Sequence, residues 1–400
     1  MKKHIVILCD GMADYNTADN RTPMKDANKP FMDMLAQKGE VGLCRTVPFG
    51  MKPGSDVANL SVMGYDPAVY YTGRSPLEAL SIGVKMNEED VSYRANLVTL
   101  SDEKNYEDKT MVDYSSGEIT TEEASQLIGY LRQFFNDNEL QLFAGVSYRH
   151  CLLRKNANEG AILTPPHDIS DKKIAEYLPK GEYAQNMLDI MKRSYELLND
   201  HPINRKRKAQ GLNPANSLWF WGEGRKPVLD SFQSKFGVKG AVISAVDLIK
   251  GIGIAANMTS IDVEGATGTI KTNFEGKAKA TIDALKTHDY VYLHLEAPDE
   301  CGHQGNYEEK VLSLELIDSK IIKPIIEHLN SNNIKYNVLI CPDHATPIKH
   351  KTHVSDPIPF LVYDSEKKQG YGIERFDEDS VKKTKNFVES GFMLINKLLN

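Results

Sequence analysis

Residues 51–67, MKPGSDVANLSVMGYDP, combine a tight turn with the start of an apolar helix. The turn Gly54-Ser55-Asp56 leads directly into the helical stretch, so Ser55 is expected where free backbone N–H groups converge. An anion, or a serine that becomes a phosphoserine, is stabilised at such a position. The alternative is that Ser55 is an ordinary helix N-cap, a common role for serine. The stretch predicts a loop-to-helix junction with Ser55 as a candidate nucleophile.

Residues of the types that bind metal ions follow several apolar runs. Asp10 ends the first run, and the pair Asp343-His344 follows a late one, so that adjacent oxygen and nitrogen ligands leave the same strand. In an α/β sheet, ligands bind beyond the carboxyl ends of the strands. Each residue alone could be a turn or surface residue, but the set indicates phosphoryl transfer over two metal ions. The candidate ligands besides Ser55 are Asp10, Asp299, His303, Asp343, His344 and His353.

Composition is that of a soluble globular protein large enough for two domains. The chain has 400 residues, 41% hydrophobic and 26% charged, with no apolar run near the ~20 residues of a membrane span. A net charge of −7 argues against a nucleic-acid partner. The five cysteines are scattered, odd in number and without a CxxC pair, which predicts reduced thiols in a cytoplasmic protein.

Strand and helix patterns alternate at both ends of the chain and are mixed in the middle. The alternation predicts an α/β, doubly wound sheet from residues 1–89 and 236–400. Residues 90–235 are expected to form an inserted, smaller α+β domain. In the first domain we expect strands at His4–Cys9, Gly240–Val246, Tyr290–Leu295, Tyr336–Cys341 and Pro359–Tyr363, and helices at Pro30–Gly39, Val57–Met63, Leu248–Ala256, Glu308–Leu329 and Ser380–Leu399. In the insertion we expect strands at Tyr93–Leu100, Leu140–Val146 and Arg149–Arg154, and helices at Thr121–Phe135 and Tyr183–Leu198.

Several basic residues are candidates for recognising an anionic substrate by bidentate contacts. For each the alternative is a solvated surface position, and Arg74 and Arg94 are favoured because they lie near turns beside apolar segments. Trp219 and Trp221 alternate as in a strand and are expected to pack in the core or between the domains rather than to form a ligand platform. The candidates are Arg74, Arg94, Arg149, Arg205, Arg207 and Lys250.

Together these segments resemble the cofactor-independent phosphoglycerate mutases of the archaeal type, within the alkaline phosphatase superfamily. The resemblance is carried by CDGMAD at 9–14, PGSDVAN at 53–59, YTGRSPLEA at 71–79, HPIN at 201–204, EGATG at 264–268, DECGH at 299–303 and PDH at 342–344. It implies a metal-binding phosphotransferase domain with an alkaline-phosphatase-like sheet, interrupted by a substrate-binding insertion at residues 90–235. It also implies an enzyme that interconverts 3-phosphoglycerate and 2-phosphoglycerate without 2,3-bisphosphoglycerate. Ser55 would carry the phosphoryl group.

The resemblance also implies two divalent ions, usually manganese, magnesium or zinc. Asp10, Ser55, Asp343 and His344 would hold one ion; Asp299, His303 and His353 would hold the other. Lys250 would match a lysine that contacts the substrate phosphate.

A second branch of the same family, proposed to act as homoserine kinases, has similar segments. They are LEAPDECGH at 295–303, WFWGEG at 219–224 and SAVDL at 244–248. The kinase reading keeps the metal and serine centre and changes the donor and acceptor. Two further alternatives are a metal-dependent phosphohydrolase, in which water resolves the phosphoserine, and a metal-stabilised binding protein without catalysis.

Overall fold

The chain folds into two compact units, as seen in a computed structural model that describes residues 2–367, 370–371 and 373–400. The first unit is discontinuous and comprises Met1–Tyr71 and Leu229–Asn400, whereas the second comprises the intervening Thr72–Val228. The sequence analysis set the boundaries at 89/90 and 235/236. The first boundary lies earlier because the helix Ser75–Ser81 belongs with the second unit, where Ser75 Oγ is 3.1 Å from Ser92 Oγ.

The strands in the described residues are β1 (Lys3–Cys9), β2 (Glu40–Cys44), β3 (Val91–Leu100), β4 (Met111–Asp113), β5 (Leu140–Phe143), β6 (Arg149–Arg154), β7 (Ala161–Ile162), β8 (Lys180–Gly181), β9 (Ser217–Arg225), β10 (Gly240–Ile243), β11 (Thr259–Ile261), β12 (Tyr290–Leu295), β13 (Tyr336–Cys341), β14 (Ile358–Asp364) and β15 (Phe387–Val388).

The α-helices are α1 (Pro23–Asp26), α2 (Pro30–Lys38), α3 (Ser55–Val62), α4 (Pro67–Tyr70), α5 (Ser75–Ser81), α6 (Thr121–Phe135), α7 (Ala184–Leu198), α8 (Pro202–Ala209), α9 (Phe232–Phe236), α10 (Asp247–Ala255), α11 (Phe274–Ala284), α12 (Ala297–Gln304), α13 (Tyr307–Ile317), α14 (Lys323–Ser331), α15 (Glu378–Lys383) and α16 (Leu394–Leu399).

The first unit is built on one mostly parallel sheet with the strand order β11-β10-β12-β1-β13-β14-β2-β15. β14 runs antiparallel to its neighbours β13 and β2. The central strand β1 pairs in parallel with β12 and β13, with Cys9 opposite Leu295 and Leu8 opposite Cys341. The carboxyl ends of these strands therefore lie together at one edge of the sheet.

Both faces of this sheet are covered, because the central strands are continuous apolar runs with no polar face. Ile5, Ile7 and Cys9 of β1 point into a core shared with α2, α11, α13 and α14. Val6 and Leu8 are equally buried and point to the opposite face. On that side α10 packs on β10, and α16 packs on β13. The predicted α/β doubly wound sheet is thus confirmed.

The second unit is centred on β3, which pairs antiparallel with β4, β6 and β9, while β5 extends the sheet beyond β6. The helices α6 and α7 cover one face and share an apolar core with these strands. The predicted elements of this region match β3, β5, β6, α6 and α7 to within a few residues.

Two helix predictions in the first unit need correction. The helix predicted at Glu308–Leu329 is interrupted by a π-helical turn at Asp318–Ile322. The interruption immediately precedes Pro324, which lacks the N–H that a continuous α-helix needs. The Asp318 carboxylate, in the same turn, accepts the N–H of Met32 at 2.7 Å and of Phe31 at 3.2 Å, and so supports the start of α2.

The closing helix predicted at Ser380–Leu399 is wrong. The segment forms α15, then β15, then a short 3-10 turn and α16. Lys385 adopts a left-handed backbone (φ 56°), and Phe387 and Val388 pair with β2. Pairing at the edge of the sheet therefore overrides the local helix propensity of this segment. Within the described residues, no helix has both the length and the apolar character that a membrane crossing requires.

Candidate active site

The carboxyl ends of the central strands bring the candidate ligands together. Asp10 directly follows β1, Asp343 lies two residues beyond β13, and Asp299 lies in the first turn of α12, immediately after β12. All three side chains are buried. The sheet register, not sequence proximity, places them at one edge.

One group of atoms surrounds Nε2 of His344. That nitrogen is 3.3 Å from Asp343 Oδ2, 3.6 Å from Asp10 Oδ1 and 3.1 Å from Ser55 Oγ. Ligand atoms held by one divalent ion at ~2.1 Å lie roughly 3 to 3.5 Å from each other. The group is therefore compact enough to surround a single ion, and the ligand atoms of Asp10, Asp343 and His344 all lie within 4.8 Å of one another.

A second group comprises Asp299, His303 and His353. Asp299 Oδ2 is 3.1 Å from His303 Nε2, Asp299 Oδ1 is 3.5 Å from His353 Nε2, and the two imidazole nitrogens are 2.9 Å apart. Nδ1 of His303 lies 3.0 Å from the carbonyl oxygen of Lys351, so it can donate there and leave Nε2 as the ligand atom. The His344 ring stacks on the His353 ring. His344 is therefore also close enough to bind an ion together with Asp299 and His353, as an alternative to binding one with Asp10 and Asp343.

Ser55 is the first residue of α3, and Gly54 occupies the N-cap position, so the N-cap reading of Ser55 does not apply. One turn later, Asn59 donates to the Ser55 carbonyl oxygen at 2.8 Å and to Asp343 Oδ2 at 2.7 Å. Tyr292 OH in turn donates to Asn59 Oδ1 at 2.7 Å. Asn59 therefore fixes the start of the helix against the carboxylate of the first group.

The charges of the site fit divalent cations. Burial and the nearby charges of Asp343 and Asp299 raise the pKa of Asp10 well above its ordinary value, and its Oδ1 has no hydrogen-bond partner among the described residues. A cation at that oxygen would remove the cost of ionising a buried carboxyl. The donor set, carboxylate oxygens with imidazole nitrogens and a hydroxyl, suits manganese, magnesium or zinc.

In the second group the pKa of the carboxyl group is shifted in the opposite direction, downwards. Burial opposes ionisation of Asp299, but hydrogen bonds from His303 and His353 hold its pKa well below the ordinary value. The same interaction with Asp299 raises the pKa of His303 to about 9. A divalent cation would replace the proton that His303 otherwise carries.

Sequence reasoning missed three residues that support the ligands. Thr346 Oγ1 donates to Asp299 Oδ1 and lies 3.3 Å from His344 Nδ1, so one hydroxyl touches a ligand of each group. His294 Nε2 lies 2.8 Å from Asp10 Oδ2. Asn59 was already inside the quoted motif, one turn after Ser55, and His294 is a polar residue within the apolar strand YVYLHL. The sequence context of Asn59 and His294 could therefore have identified them as supporting residues, whereas nothing in the sequence around Thr346 indicates its role.

Two of the candidate arginines, Arg74 and Arg94, pair with one carboxylate in the second unit, and a third, Arg149, acts on it through its charge. Glu78 is 2.9 Å from Arg74 Nε and 2.8 Å from Arg94 Nε, and the charges of Arg94, Arg74 and Arg149 lower its pKa although burial opposes this. Arg94 also lies over the Trp221 ring, with its guanidinium carbon 3.9 Å from the ring centroid. Three guanidinium charges acting on a single carboxylate leave a cationic cluster that can bind an anion.

The other basic candidates lie elsewhere. Arg205 is exposed on α8. Lys250 Nζ pairs with Asp262 at 2.6 Å. Arg207 is buried and donates to the carbonyl oxygens of Ser116 and Asn213, which is a structural role. Trp219 is buried, as expected for core packing, whereas Trp221 is half-buried and lies under the Arg94 guanidinium.

Gly11 is predicted to be indispensable where the two groups meet. It has φ +62°, and a Cβ there would lie 2.6 Å from Asp299 Oδ1 and 2.7 Å from Thr346 Oγ1. Gly11→Ala should lower the melting temperature and weaken manganese binding measured by calorimetry, because ligand and support must both shift. The matched control is Gly50→Ala, where φ is +82° and nothing lies within 4 Å, so only backbone strain of about 1 to 3 kcal/mol is added. Equal manganese affinity in the two variants would contradict the prediction.

Comparison with known proteins supplies the family. The family model for 2,3-bisphosphoglycerate-independent phosphoglycerate mutase matches residues 36–204. The chain is 47% identical over 400 residues, the whole of both chains, to a probable 2,3-bisphosphoglycerate-independent phosphoglycerate mutase of Geobacter sulfurreducens. It is 47% identical to the enzyme of that name from Methanosarcina barkeri, over 95% of each chain. A solved protein from Pyrococcus horikoshii superposes with a TM-score of 0.83 at 27% identity, covering 100% of this chain and 97% of the other. The chain therefore belongs to the 2,3-bisphosphoglycerate-independent phosphoglycerate mutase family.

Proposed function

We propose that this protein interconverts 3-phosphoglycerate and 2-phosphoglycerate through a phosphoserine at Ser55, without 2,3-bisphosphoglycerate. The observation that carries the proposal is the position of Ser55 Oγ, 3.1 Å from His344 Nε2, at the first turn of α3 and beside two groups of metal-type ligands. The family, matched over the full length of a relative, supports the choice of substrate.

The proposed centre holds two divalent ions. Asp10, Ser55, Asp343 and His344 would hold one; Asp299, His303 and His353 would hold the other. When bound, such ions neutralise the phosphoryl oxygens and make a serine hydroxyl a better nucleophile. Three observations support this arrangement: the spacing of the candidate ligand atoms, the Oδ1 of Asp10, which has no hydrogen-bond partner among the described residues, and the Nε2 of His303, which faces Asp299 and His353.

The reaction then consists of two transfers of one phosphoryl group. Ser55 Oγ attacks the phosphorus of 3-phosphoglycerate, the bond from phosphorus to O3 breaks, and the serine proton ends on O3 of the released glycerate. After the glycerate reorients, its 2-hydroxyl attacks the phosphoserine, the bond from phosphorus to Oγ breaks, and Oγ recovers a proton. Asn59 keeps Ser55 aligned with Asp343 throughout, because its amide bonds both residues.

The second unit is proposed to bind substrate. Its cationic cluster of Arg74, Arg94 and Arg149 offers the planar donors that carboxylate and phosphate groups accept. Arg205 and Lys250 remain proposed substrate contacts, and Lys250 would exchange its exposed partner Asp262 for the substrate phosphate. We place the reaction in the cytoplasm, which the five free cysteines support.

Removing the proposed nucleophile should abolish turnover without unfolding the protein. Ser55→Ala is expected to lower kcat by roughly 10⁴-fold or more, because the other groups of the site cannot transfer the phosphoryl group without the serine hydroxyl. Phosphorus NMR with manganese and 3-phosphoglycerate measures the 2-phosphoglycerate formed.

Ser61→Ala is the matched control, because Ser61 lies in the same helix and its Oγ has no hydrogen-bond partner among the described residues. A parallel reaction with ATP and homoserine tests the kinase alternative. Homoserine phosphate without phosphoglycerate interconversion would overturn the mutase assignment and keep the serine role.

Removal of metal is expected to abolish activity. After chelation and dialysis, the buried carboxylates of Asp10 and Asp343 have no replacement cation, so turnover should fall below detection and return when manganese is added. The rate is followed by the same NMR assay, and circular dichroism reports whether the fold persists. Activity that survives thorough chelation would refute the two-ion centre.

Truncating the cationic cluster should weaken substrate binding. Arg74→Ala and Arg149→Ala are each expected to raise KM by about 10- to 100-fold, the value of a charge-assisted hydrogen bond. Arg193→Ala is the control, because Arg193 is exposed on α7 and pairs only locally with Glu196 at 2.6 Å. An unchanged KM in both cluster variants would place the substrate anion elsewhere.

A further inference from the structure

A buried chain of hydrogen bonds lies behind Asp10 and ends on it. His294 Nε2 is 2.8 Å from Asp10 Oδ2, and His294 Nδ1 is 3.1 Å from Ser244 Oγ. Ser244 Oγ also accepts the N–H of Val246 at 2.9 Å. The three side chains come from β12, from the residue after β1 and from the residue after β10, and these strands are neighbours in the sheet.

When Asp10 is ionised, as it must be to hold a cation, the chain of bonds has only one direction that satisfies every group with a neutral imidazole. An ionised Asp10 accepts and cannot donate, so His294 Nε2 must carry the hydrogen. Nδ1 is then an acceptor, which requires the Ser244 hydroxyl to donate to it. The remaining lone pair of Ser244 accepts from the backbone of Val246. The ionised Asp10 thus sets the tautomer of His294, and the backbone N–H of Val246 helps to orient the Ser244 hydroxyl towards His294.

The two oxygens of Asp10 are consequently distinguished. Oδ2 is held by His294, whereas Oδ1 is buried without a hydrogen-bond partner among the described residues and lies 3.6 Å from His344 Nε2. A carboxylate bound on one oxygen keeps a fixed orientation, and its other oxygen is presented to the cation.

We infer that His294 is a positioning residue: with Ser244 it fixes the Asp10 carboxylate so that Oδ1 is offered to the ion of the first group. This inference rests on the proposed two-metal centre. His294 and Ser244 act through Asp10 and need not touch substrate or ion. We therefore expect them to affect the affinity for the ion that Asp10 would hold, and not the affinity for the other ion. A residue that merely fills the core would not distinguish between the two ions.

The test is calorimetric titration of manganese into the metal-free, full-length protein. Wild type should show two binding events. His294→Leu is expected to weaken the event of the Asp10 group by about 10- to 100-fold and to leave the event of the Asp299 group unchanged. His294→Gln can still donate an amide N–H to Asp10 and should recover most of that affinity. Ser244→Ala should weaken the same event by roughly fivefold, the value of one neutral hydrogen bond.

His288→Leu is the matched control. His288 is also a buried, hydrogen-bonded histidine, 3.0 Å from Thr259 Oγ1, but it precedes β12 and so lies at the opposite end of that strand from Asp10. Its manganese isotherm should equal that of wild type.

Unchanged manganese binding in His294→Leu, or equal weakening of both events, would overturn the positioning role. If His294→Leu does not fold, Ser244→Ala decides, and an isotherm identical to wild type overturns the inference. A wild-type protein that binds no manganese would instead refute the proposed metal centre itself.

Discussion

The parallel pairing of β1 between β12 and β13 is the constraint on which the site depends. Cys9 lies opposite Leu295, and Leu8 opposite Cys341, so Asp10, Asp299 and Asp343 leave the sheet at the same edge. A slip of one residue in this register would exchange the two buried faces of β1 and displace Asp10 from its partners. The apolar burial that fixes the register therefore also fixes the distances between the ligands.

Holding three carboxylates in a buried space has an electrostatic cost, and the surrounding structure is organised around it. Hydrogen-bond donors reach each carboxylate: Asn59 to Asp343, His294 to Asp10, and Thr346 to Asp299. These donors hold the acidic groups in place but do not cancel their charge. The carboxylates are thus held by the fold itself, and the proposed divalent ions would supply the balancing charge.

Most of the sheet and its site could be predicted from sequence, because apolar runs ending in Asp or His identify parallel strands and their carboxyl ends. The position of Ser55 at a loop-to-helix junction could also be predicted, because a Gly-Ser-Asp turn directly precedes an apolar helical stretch. What local patterns could not show depends on tertiary pairing: Phe387 and Val388 were expected in a helix but join β2 as a strand. The supporting Thr346 was missed because its role comes from a fold-back onto Asp299, which no spacing in the chain reveals.

The discontinuity of the first unit has a consequence for how the protein is made. β1 is synthesised first, yet its partners β12 and β13 emerge only after the whole second unit, Thr72–Val228, has left the ribosome. The second unit is contiguous and can close its own sheet during synthesis, whereas β1 must wait as an unpaired apolar strand. An exposed apolar strand of this kind is prone to aggregate, so assembly is most vulnerable while β1 is still unpaired.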